Sequence, residues 1–183
     1  MHIGIIGLGD MGKLYALSFA KAGYAVYGSD IESLNAQLRV ELQPQGITVL
    51  FNGFEVARRA DFLIFCVEAE YIGEVVHTYA NSIKYGAIVS GQTSVKYPEI
   101  EAFEKFLSQD TQIVTCHSLH GPAFSTEGQT LLVIRHRATD ENYQKALSIY
   151  RSLKSKIIEI SDYKKHDKIM ADTQAITHVG FEL

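Results

Sequence analysis

A glycine-rich hexapeptide near the start of the chain constrains the fold more than any other feature. It follows the apolar segment 3–6 and opens an amphipathic segment that ends near Gly23. In a strand–turn–helix unit, the first glycine of GxGxxG permits the tight turn, the second lets backbone approach a pyrophosphate, and the third allows close helix packing. The free N–H groups of the helix N-terminus then favour phosphate. The candidate cofactor-binding residues are Gly7, Leu8, Gly9, Asp10, Met11 and Gly12.

Short apolar runs alternate with longer amphipathic stretches along the rest of the chain. We predict strands at 3–6, 24–28, 47–51, 61–67, 86–90, 112–116, 131–134 and 156–160, and helices at 11–22, 31–42, 71–83, 98–107 and 141–153. The alternation predicts an α/β fold with a doubly wound, mainly parallel, Rossmann-like sheet and helices on both faces. Ligands bind beyond the carboxyl ends of the strands in such sheets, so the loops that follow strands form the candidate site.

The end of the chain has a helical pattern of its own. Residues 1–161 are predicted to form the dinucleotide-binding domain, and residues 162–183 the first helix of a C-terminal helical domain. This helix carries Ile169, Ile176 and Leu183 at seven-residue spacing, with Val179 beside them. An apolar helix face needs a partner. We therefore expect the helical domain to be truncated here and to continue beyond residue 183, or this helix to pack on another subunit.

Composition excludes several classes of function. Seventeen Lys and Arg against 21 Asp and Glu give a net charge of −4, which argues against a nucleic-acid binder. No run approaches the roughly 20 apolar residues of a membrane span, so no membrane partner is expected. Cys66 and Cys116 have neither disulfide-framework nor zinc-ligand spacing, and the histidines lack metal-ligand spacing, so no metal is predicted. The N-terminal pattern is not that of a signal peptide, which predicts a cytoplasmic protein.

One acidic residue at the end of the second predicted strand bears on the choice of cofactor. Asp30 lies 18 residues past Gly12, where a carboxylate hydrogen-bonds the 2′-hydroxyl of the adenine ribose. A carboxylate repels a 2′-phosphate, and the next residue, Ile31, cannot bind one. Arg39 lies in the following helix, where we expect its side chain to be solvated. Residue chemistry alone therefore favours NAD over NADP.

Two later loops carry side chains suited to chemistry. One is 91–96, which includes Ser94, and the other is 117–122, which begins with His117. Both follow predicted strands, so both lie at the edge where a nicotinamide is expected. A neutral imidazole accepts a proton near pH 7, and a serine nearby can hydrogen-bond the same substrate hydroxyl. Each residue alone is more often structural, Ser94 as a turn hydroxyl and His117 as a satisfied histidine.

The last predicted helix adds two histidines. His166 lies near its start, and we interpret it as a capping or surface residue. His178 lies twelve residues on and roughly 120° around the helix, so the two are not expected to share one ligand. Because the apolar face of this helix needs a surface to pack on, the His178 side chain is a candidate to point into the cleft. A surface or interface position is the alternative.

Four segments together resemble prephenate dehydrogenase, most closely the fungal enzymes. They read GIIGLGDMG, GQTSVKYPEIEAFEK, HSLHGP and HDKIMADTQAITH, and they extend from residue 3 to about residue 178. The first is shared with many dehydrogenases, whereas the SVK, HxxxGP and HD…QAxxH elements in this order are far more specific. The resemblance implies oxidative decarboxylation of prephenate to 4-hydroxyphenylpyruvate in tyrosine biosynthesis, with hydride transfer to NAD(P)+.

The resemblance also implies roles for individual residues. His117 matches the catalytic histidine that engages the ring 4-hydroxyl of prephenate, Ser94 matches the serine that helps to hold that hydroxyl, and His178 matches a substrate-binding histidine. The hexapeptide and Asp30 match the cofactor loop and the ribose acid. Fungal members use NADP, so the cofactor is expected to be NAD(P). A homodimer through the C-terminal helical region, and a substrate-binding arginine within that region, are implied as well.

The chain departs from the family pattern in the second loop. Ser118 stands where many bacterial members have proline, and His120 stands where an apolar residue is common. His120 is a second imidazole three residues from the first, so it is an alternative base.

Two other functions remain open, and a third alternative is that these 183 residues are an inert fragment of the enzyme. A β-hydroxyacid dehydrogenase of the 3-hydroxyisobutyrate or 6-phosphogluconate kind shares the GLGxMG start, but it relies on a lysine in a later helical domain, and HSLHGP argues against it. A non-catalytic dinucleotide-binding module needs the glycine loop and Asp30 but neither Ser94 nor His117.

Overall fold

The computed structural model describes the backbone of residues 1–181 and the side chains of residues 1–175. Within these residues the eight strands are β1 (His2–Ile6), β2 (Ala25–Ser29), β3 (Ile47–Val49), β4 (Phe62–Phe65), β5 (Ile88–Gly91), β6 (Gln112–Ser118), β7 (Thr130–Arg137) and β8 (Lys156–Ile160). The seven helices described are α1 (Asp10–Lys21), α2 (Glu32–Leu42), α3 (Gly53–Arg59), α4 (Ile72–Tyr79), α5 (Tyr97–Phe106), α6 (Asp140–Arg151) and α7 (Tyr163–Phe181). Two 3-10 turns, Gln43–Gln45 and Ala80–Ser82, follow α2 and α4.

All eight described strands belong to one sheet, in the order β3-β2-β1-β4-β5-β6-β7-β8. Neighbouring strands are parallel except β6 and β7, so β7 and β8 run opposite to the other six. The strand order reverses between β1 and β4, and the carboxyl ends of β1, β4, β5 and β6 meet at one edge. The predicted doubly wound, mainly parallel α/β fold is confirmed.

The sheet is buried on both faces, which explains why its central strands are apolar throughout. Ile64 of β4 enters a core shared with Phe19 of α1 and Tyr150 of α6. Its neighbour Phe65 enters the opposite core, together with Phe103 of α5. Successive strand residues point to opposite faces, so a single apolar strand supplies both cores.

Two differences from the predicted elements affect the site. Strand β6 continues to Ser118, so His117 is a strand residue and not the first residue of a loop. Antiparallel pairing with β7 explains the extension, because His117 pairs with Leu132. Helix α3 was not predicted from the pattern. It begins after Asn52, whose side chain accepts a hydrogen bond from the Glu55 N–H.

Helix α7 carries the residues on which the predictions about the end of the chain depend. His178 lies in α7, but its side chain lies outside the described residues, as do those of Ile176, Val179 and Leu183. Ile169, on the described part of the helix, is partly exposed. In the part of the chain that the structure describes, no helix is long and apolar enough to cross a bilayer.

Candidate active site

A cleft of about 800 Å³ opens at the carboxyl edge of the sheet, beside the point where the strand order reverses. Residues 9–12 of the hexapeptide line one side, and residues 66–70 and 92–94, which follow β4 and β5, line the other. Gly7 and Leu8 lie beneath this surface, where Leu8 is buried and packs against Gly28. The cleft therefore occupies the position at which doubly wound sheets bind ligands.

The three glycines of the hexapeptide are required for different reasons. Gly7 has a φ of +101°, and a Cβ there would lie 2.3 Å from the Cys66 carbonyl oxygen. A Cβ on Gly12 would lie 1.9 Å from the carbonyl oxygen of Gly7. A Cβ on Gly9 would meet nothing within 4 Å. Gly7 and Gly12 are therefore needed to form the loop, whereas Gly9 leaves an open surface at the start of α1.

The polar groups that line the cleft fit a dinucleotide. No side chain caps α1, so its first N–H groups are available to a pyrophosphate. The side-chain amide nitrogen of Gln92 is buried and has no hydrogen-bond partner among the described residues. It can therefore donate a hydrogen bond to a ligand in the cleft. The lining includes the carboxylates of Asp10, Glu68 and Glu70 and, among the described residues, no Lys or Arg. An anion in this cleft would therefore be bound by backbone N–H groups and the helix dipole, and not by cationic side chains.

Asp30 is fixed against the hexapeptide. Its carboxylate accepts hydrogen bonds from the Leu8 N–H at 2.6 Å and the Ile31 N–H at 2.7 Å. Asn35 holds the backbone on both sides, accepting the Asp30 N–H at 2.7 Å and donating to the Asp30 carbonyl at 3.1 Å. The same amide donates to the Phe51 carbonyl at 2.9 Å. The ends of β2 and β3 are thus joined beside the predicted ribose acid.

Arg39 is predicted to be solvated, and in the structure its side chain is only partly so. Its Nε donates to the Val49 carbonyl oxygen at 3.1 Å, and its guanidinium carbon lies 5.0 Å from the centroid of the Phe51 ring. A planar guanidinium stacks well on an aromatic face, which explains why the side chain folds back onto β3 and not into solvent.

His117 lies one strand beyond the cleft, on β6, and is hydrogen-bonded to a second histidine. Its Nδ1 is 2.9 Å from Nε2 of His166, whose own Nδ1 is 2.7 Å from Oδ1 of Asp167. The prediction that His166 is a capping or surface residue is wrong, because its side chain is fully buried. The error has a tertiary cause. The Asp167 carboxylate accepts the N–H groups of Lys96 and Tyr97 at the start of α5, which draws the first turns of α7 onto α5.

Beneath the site, Lys96 and Glu99 form an ion pair that is inaccessible to solvent. The ammonium group lies 3.2 Å from both carboxylate oxygens of Glu99 and donates to the Gly91 carbonyl oxygen at 3.3 Å. Glu99 also accepts the Thr93 N–H and hydrogen-bonds the Thr115 hydroxyl. A Cβ on Gly91 would lie 2.3 Å from the Glu99 carboxylate, so only glycine leaves room for it. The pair thereby joins β5, α5 and β6.

The electrostatic environment keeps both histidines neutral. Burial first, and then the positive charge of Lys96, lower the pKa of His117 to about 4. Burial also lowers the pKa of His166, against the opposing effect of its hydrogen bond to Asp167. Neutral imidazoles at neutral pH are proton acceptors, so His117 has the protonation state that a general base needs.

Ser94 and His120 are placed less tightly. Ser94 lies exposed in the bend between β5 and α5, lines the cleft, and has no hydrogen bond to His117 within the described part of the chain. Nδ1 of His120 is 2.9 Å from the Gly121 carbonyl oxygen. Its Nε2 is buried without a partner among the described residues. The structure therefore leaves both side chains able to bond a ligand.

Sequence reasoning did not single out several residues of this site. Lys96 and Glu99 have the i, i+3 spacing of an ordinary surface pair on a helix, and Asp167 resembles any acid in a first helical turn. Gln92 stands in a polar loop whose residues look alike. A usable signal was that Lys96 and Asp167 both lie within the motifs that carry the family resemblance.

Comparison with known proteins adds an independent observation. Residues 15–158 match a protein-family model described as the nucleotide-binding domain of prephenate dehydrogenase. The chain is 46% identical, over 98% of its length, to a Schizosaccharomyces pombe protein named "Probable prephenate dehydrogenase (NADP(+))", of which it covers 42%. It is 49% identical, again over 98% of its length, to the Saccharomyces cerevisiae prephenate dehydrogenase (NADP(+)), of which it covers 40%. The chain thus spans about two fifths of the length of these curated relatives.

Solved structures share the fold. The prephenate dehydrogenase of Aquifex aeolicus, in complex with hydroxyphenyl propionate and NAD+, superposes with a TM-score of 0.74 over all of this chain and 70% of that one. The two sequences are 19% identical. At that identity the likeness shows the fold alone.

The buried ion pair generates a prediction about stability. Lys96→Met should lower the free energy of unfolding by about 3–5 kcal/mol, because it leaves the Glu99 carboxylate buried without its cation. The double variant Lys96→Met/Glu99→Leu removes both charges and should lose less. Urea unfolding followed by circular dichroism measures both, and Lys168→Met, on an exposed lysine, should change stability by less than about 0.5 kcal/mol. An equal loss in the single and double variants would contradict the prediction.

The glycine geometry predicts a contrast between two alanine variants. Gly12→Ala should destabilise the protein by about 1–3 kcal/mol or more, since its Cβ would collide with the Gly7 carbonyl. Gly9→Ala should leave stability unchanged but weaken NADP+ binding, since the added methyl group stands on the open surface of the loop. Urea unfolding and calorimetric titration measure the two effects. If Gly9→Ala binds NADP+ as well as the unmodified protein, the cofactor does not approach this surface.

Proposed function

Since the chain belongs to the prephenate dehydrogenase family, we propose that the protein catalyses the NAD(P)-dependent oxidative decarboxylation of prephenate to 4-hydroxyphenylpyruvate, a step of tyrosine biosynthesis. The observation that carries the proposal is the state of His117, a neutral and half-buried imidazole held at the carboxyl edge of the sheet. A non-catalytic binding module needs neither Ser94 nor His117, so a proton acceptor placed at this edge favours an enzyme. Family membership also sets aside the β-hydroxyacid dehydrogenase alternative.

The chain's residues divide between holding the cofactor and handling the substrate proton. When bound, the nicotinamide supplies the hydride acceptor of the reaction. The N–H groups at the start of α1 would hold the pyrophosphate, and Asp30 the adenine ribose. Gln92 and Ser94, on the opposite wall of the cleft, would hold the reacting end. Fixed groups of this kind contribute by orienting the two rings.

His117 acts on the 4-hydroxyl of prephenate. The hydroxyl O–H bond breaks and an N–H bond forms on the imidazole, while the hydroxyl oxygen becomes a carbonyl-like and then a phenolic oxygen. The C4–H bond is lost as hydride, and the bond between C1 and the carboxylate breaks to release carbon dioxide. Its electron pair enters the ring, which becomes aromatic, and the phenolate oxygen takes a proton back from the imidazolium of His117 to give the phenol. Ser94 would hydrogen-bond the same hydroxyl and fix its position relative to His117.

The proposal extends to the region that follows β8. We propose that residues 162–183 begin a helical domain, that His178 contributes to substrate binding there, and that an arginine of this domain binds a prephenate carboxylate. The family resemblance supports each point, and the curated relatives, of which this chain covers about two fifths, are long enough to hold such a domain. The protein is then a cytoplasmic homodimer assembled through this region, with a small-molecule substrate and neither nucleic acid nor membrane as a partner.

Two matched variants test the assignment of the base. His117→Asn should lower prephenate turnover by about 10²- to 10⁴-fold, because it removes the proton acceptor, and should leave NADP+ binding nearly unchanged. His120→Asn, three residues away on the same segment, should retain most of the activity. Turnover is followed by the absorbance of the reduced nicotinamide, and binding by calorimetric titration. The assay uses the protein as the cell makes it, with the helical region present.

Each alternative has its own result. A large loss in His120→Asn with none in His117→Asn would transfer the role of base to His120. Oxidation of a 3-hydroxy acid in place of prephenate would overturn the proposed substrate. NADP+ binding with no turnover of either substrate by the unmodified protein would indicate a non-catalytic dinucleotide-binding module.

A further inference from the structure

His117, His166 and Asp167 form a chain of hydrogen bonds. The Asp167 carboxylate can only accept, and this fixes which atom donates in each bond. The Asp167 carboxylate faces three N–H or imidazole nitrogens, namely the backbone N–H groups of Lys96 and Tyr97 and Nδ1 of His166, at 2.7, 2.9 and 2.7 Å. Backbone N–H groups only donate, so both carboxylate oxygens act as acceptors here. Oδ1 accepts from Lys96, which leaves His166 Nδ1 as a second donor to the same atom.

The tautomers of both histidines follow from this end. A neutral imidazole carries one proton, so His166 with Nδ1–H has an unprotonated Nε2. That Nε2 lies 2.9 Å from Nδ1 of His117 and must accept, so His117 Nδ1 carries the proton. Nε2 of His117 is then left with a free lone pair. Burial and the charge of Lys96 lower the pKa of both histidines and so disfavour the doubly protonated forms at neutral pH.

We infer that His166 and Asp167 are positioning residues that hold His117 in the Nδ1–H tautomer, with Nε2 as the atom that takes the substrate proton. The inference rests on the proposed function for what Nε2 does, but not for the tautomer itself. When the hydroxyl proton moves to Nε2, His117 becomes a cation whose Nδ1–H donates more strongly to His166. The positive charge is then stabilised along the chain toward the Asp167 carboxylate.

Nitrogen NMR of the 15N-histidine-labelled protein tests the tautomer directly. In the unmodified protein at pH 7, His117 should show a protonated, pyrrole-type Nδ1 and an unprotonated, pyridine-type Nε2. His166→Phe should abolish this fixed pattern, because Nδ1 loses its acceptor. His77→Gln, on α4 and stacked on Phe106 away from the site, is the control and should leave the His117 signals unchanged. The signal that disappears in His117→Gln identifies the residue.

The outcomes separate the inference from the proposed function. A pyrrole-type Nε2 on His117, or a doubly protonated ring at pH 7, overturns the inference from the unmodified protein alone, whether or not any variant folds. With the predicted spectrum, His166→Phe should lower kcat for prephenate by roughly 10- to 100-fold while NADP+ still binds. An unchanged kcat overturns the positioning role. A protein that shows the spectrum but never turns over prephenate overturns the proposed function and leaves the tautomer intact.

A second and independent observation concerns Arg39. It lies about two turns into α2, roughly 10 Å along the axis from Glu32. Side chains on a helix lean toward its N-terminus, and the guanidinium accordingly lies beside Val49, the last residue of β3, and over the Phe51 ring. This is the carboxyl edge, and the Asn35 amide links the Phe51 carbonyl to that of Asp30. Only Nε of the guanidinium is bound to protein within the described residues.

We propose that Arg39 and Phe51 form the subsite for the 2′-phosphate end of NADP. The two terminal NH2 groups of the guanidinium make no hydrogen bond to the described residues, so they can bind a phosphate, and the exposed Phe51 ring offers a stacking face for the adenine. The hydrogen bonds that Asp30 accepts from Leu8 and Ile31 disperse part of the charge that would repel the phosphate. Asp30 then holds the glycine loop in place as well as binding the ribose. Its presence therefore does not favour NAD over NADP.

Calorimetric titration with NADP+ and with NAD+ measures the affinity for each cofactor and does not depend on turnover. Arg39→Met, which keeps the apolar stem, should weaken NADP+ binding by roughly tenfold or more and change NAD+ binding little. The NADP+ affinity of Arg39→Lys should lie between those of the unmodified protein and Arg39→Met. Arg58→Met, on an exposed residue of α3, is the matched control. Equal loss of both cofactors, no loss of either, or an unmodified protein that binds NAD+ more tightly than NADP+ would overturn the proposal.

Discussion

The buried Lys96–Glu99 pair is the interaction on which the rest of this site depends. A fully buried lysine is rare unless it is paired, because desolvation of its charge costs several kcal/mol. Here the charge is matched by Glu99 and by oxygens of β5 and β6, so the pair holds two strands and a helix at the carboxyl edge. The backbone N–H of the same Lys96 binds Asp167, which places α7. One residue therefore connects the sheet, α5 and the helix that supplies His166.

The same arrangement sets the electrostatics of the edge. Burial lowers the pKa of His117 and of His166, and the nearby cation of Lys96 adds to the effect, so both imidazoles are neutral at neutral pH. The cleft next to them is lined by carboxylates and by free backbone N–H groups. The proposed anion-binding groups and the proposed base therefore lie on different strands of one sheet. The proposed pyrophosphate site depends on backbone geometry, whereas the neutral state of the proposed base depends on burial first and on the charge of Lys96 second.

Much of the fold was predictable because it depends on local patterns. Apolar runs specify buried parallel strands, and the glycine hexapeptide specifies a strand–turn–helix unit, which Gly7 and Gly12 show in their contacts. Helix α3 was missed because it is short and takes its start from the Asn52 cap. His166 and the Lys96–Glu99 pair were misjudged or overlooked because polar residues in first helical turns are usually solvated. Only tertiary packing of α7 on α5 buries them, and a single sequence does not display that packing.

The position of Arg39 depends on tertiary packing that the residues next to Asp30 do not reveal. In the sequence, Asp30 and Ile31 at the end of β2 favour NAD, and Arg39 in the following helix is expected to be solvated. In a doubly wound sheet, however, each helix that follows a parallel strand begins at the ligand edge, and its side chains lean back toward that edge. A cation two turns along α2 therefore reaches the end of β3. The groups that surround a ligand in this fold come from the first turns of the helices as well as from the loops.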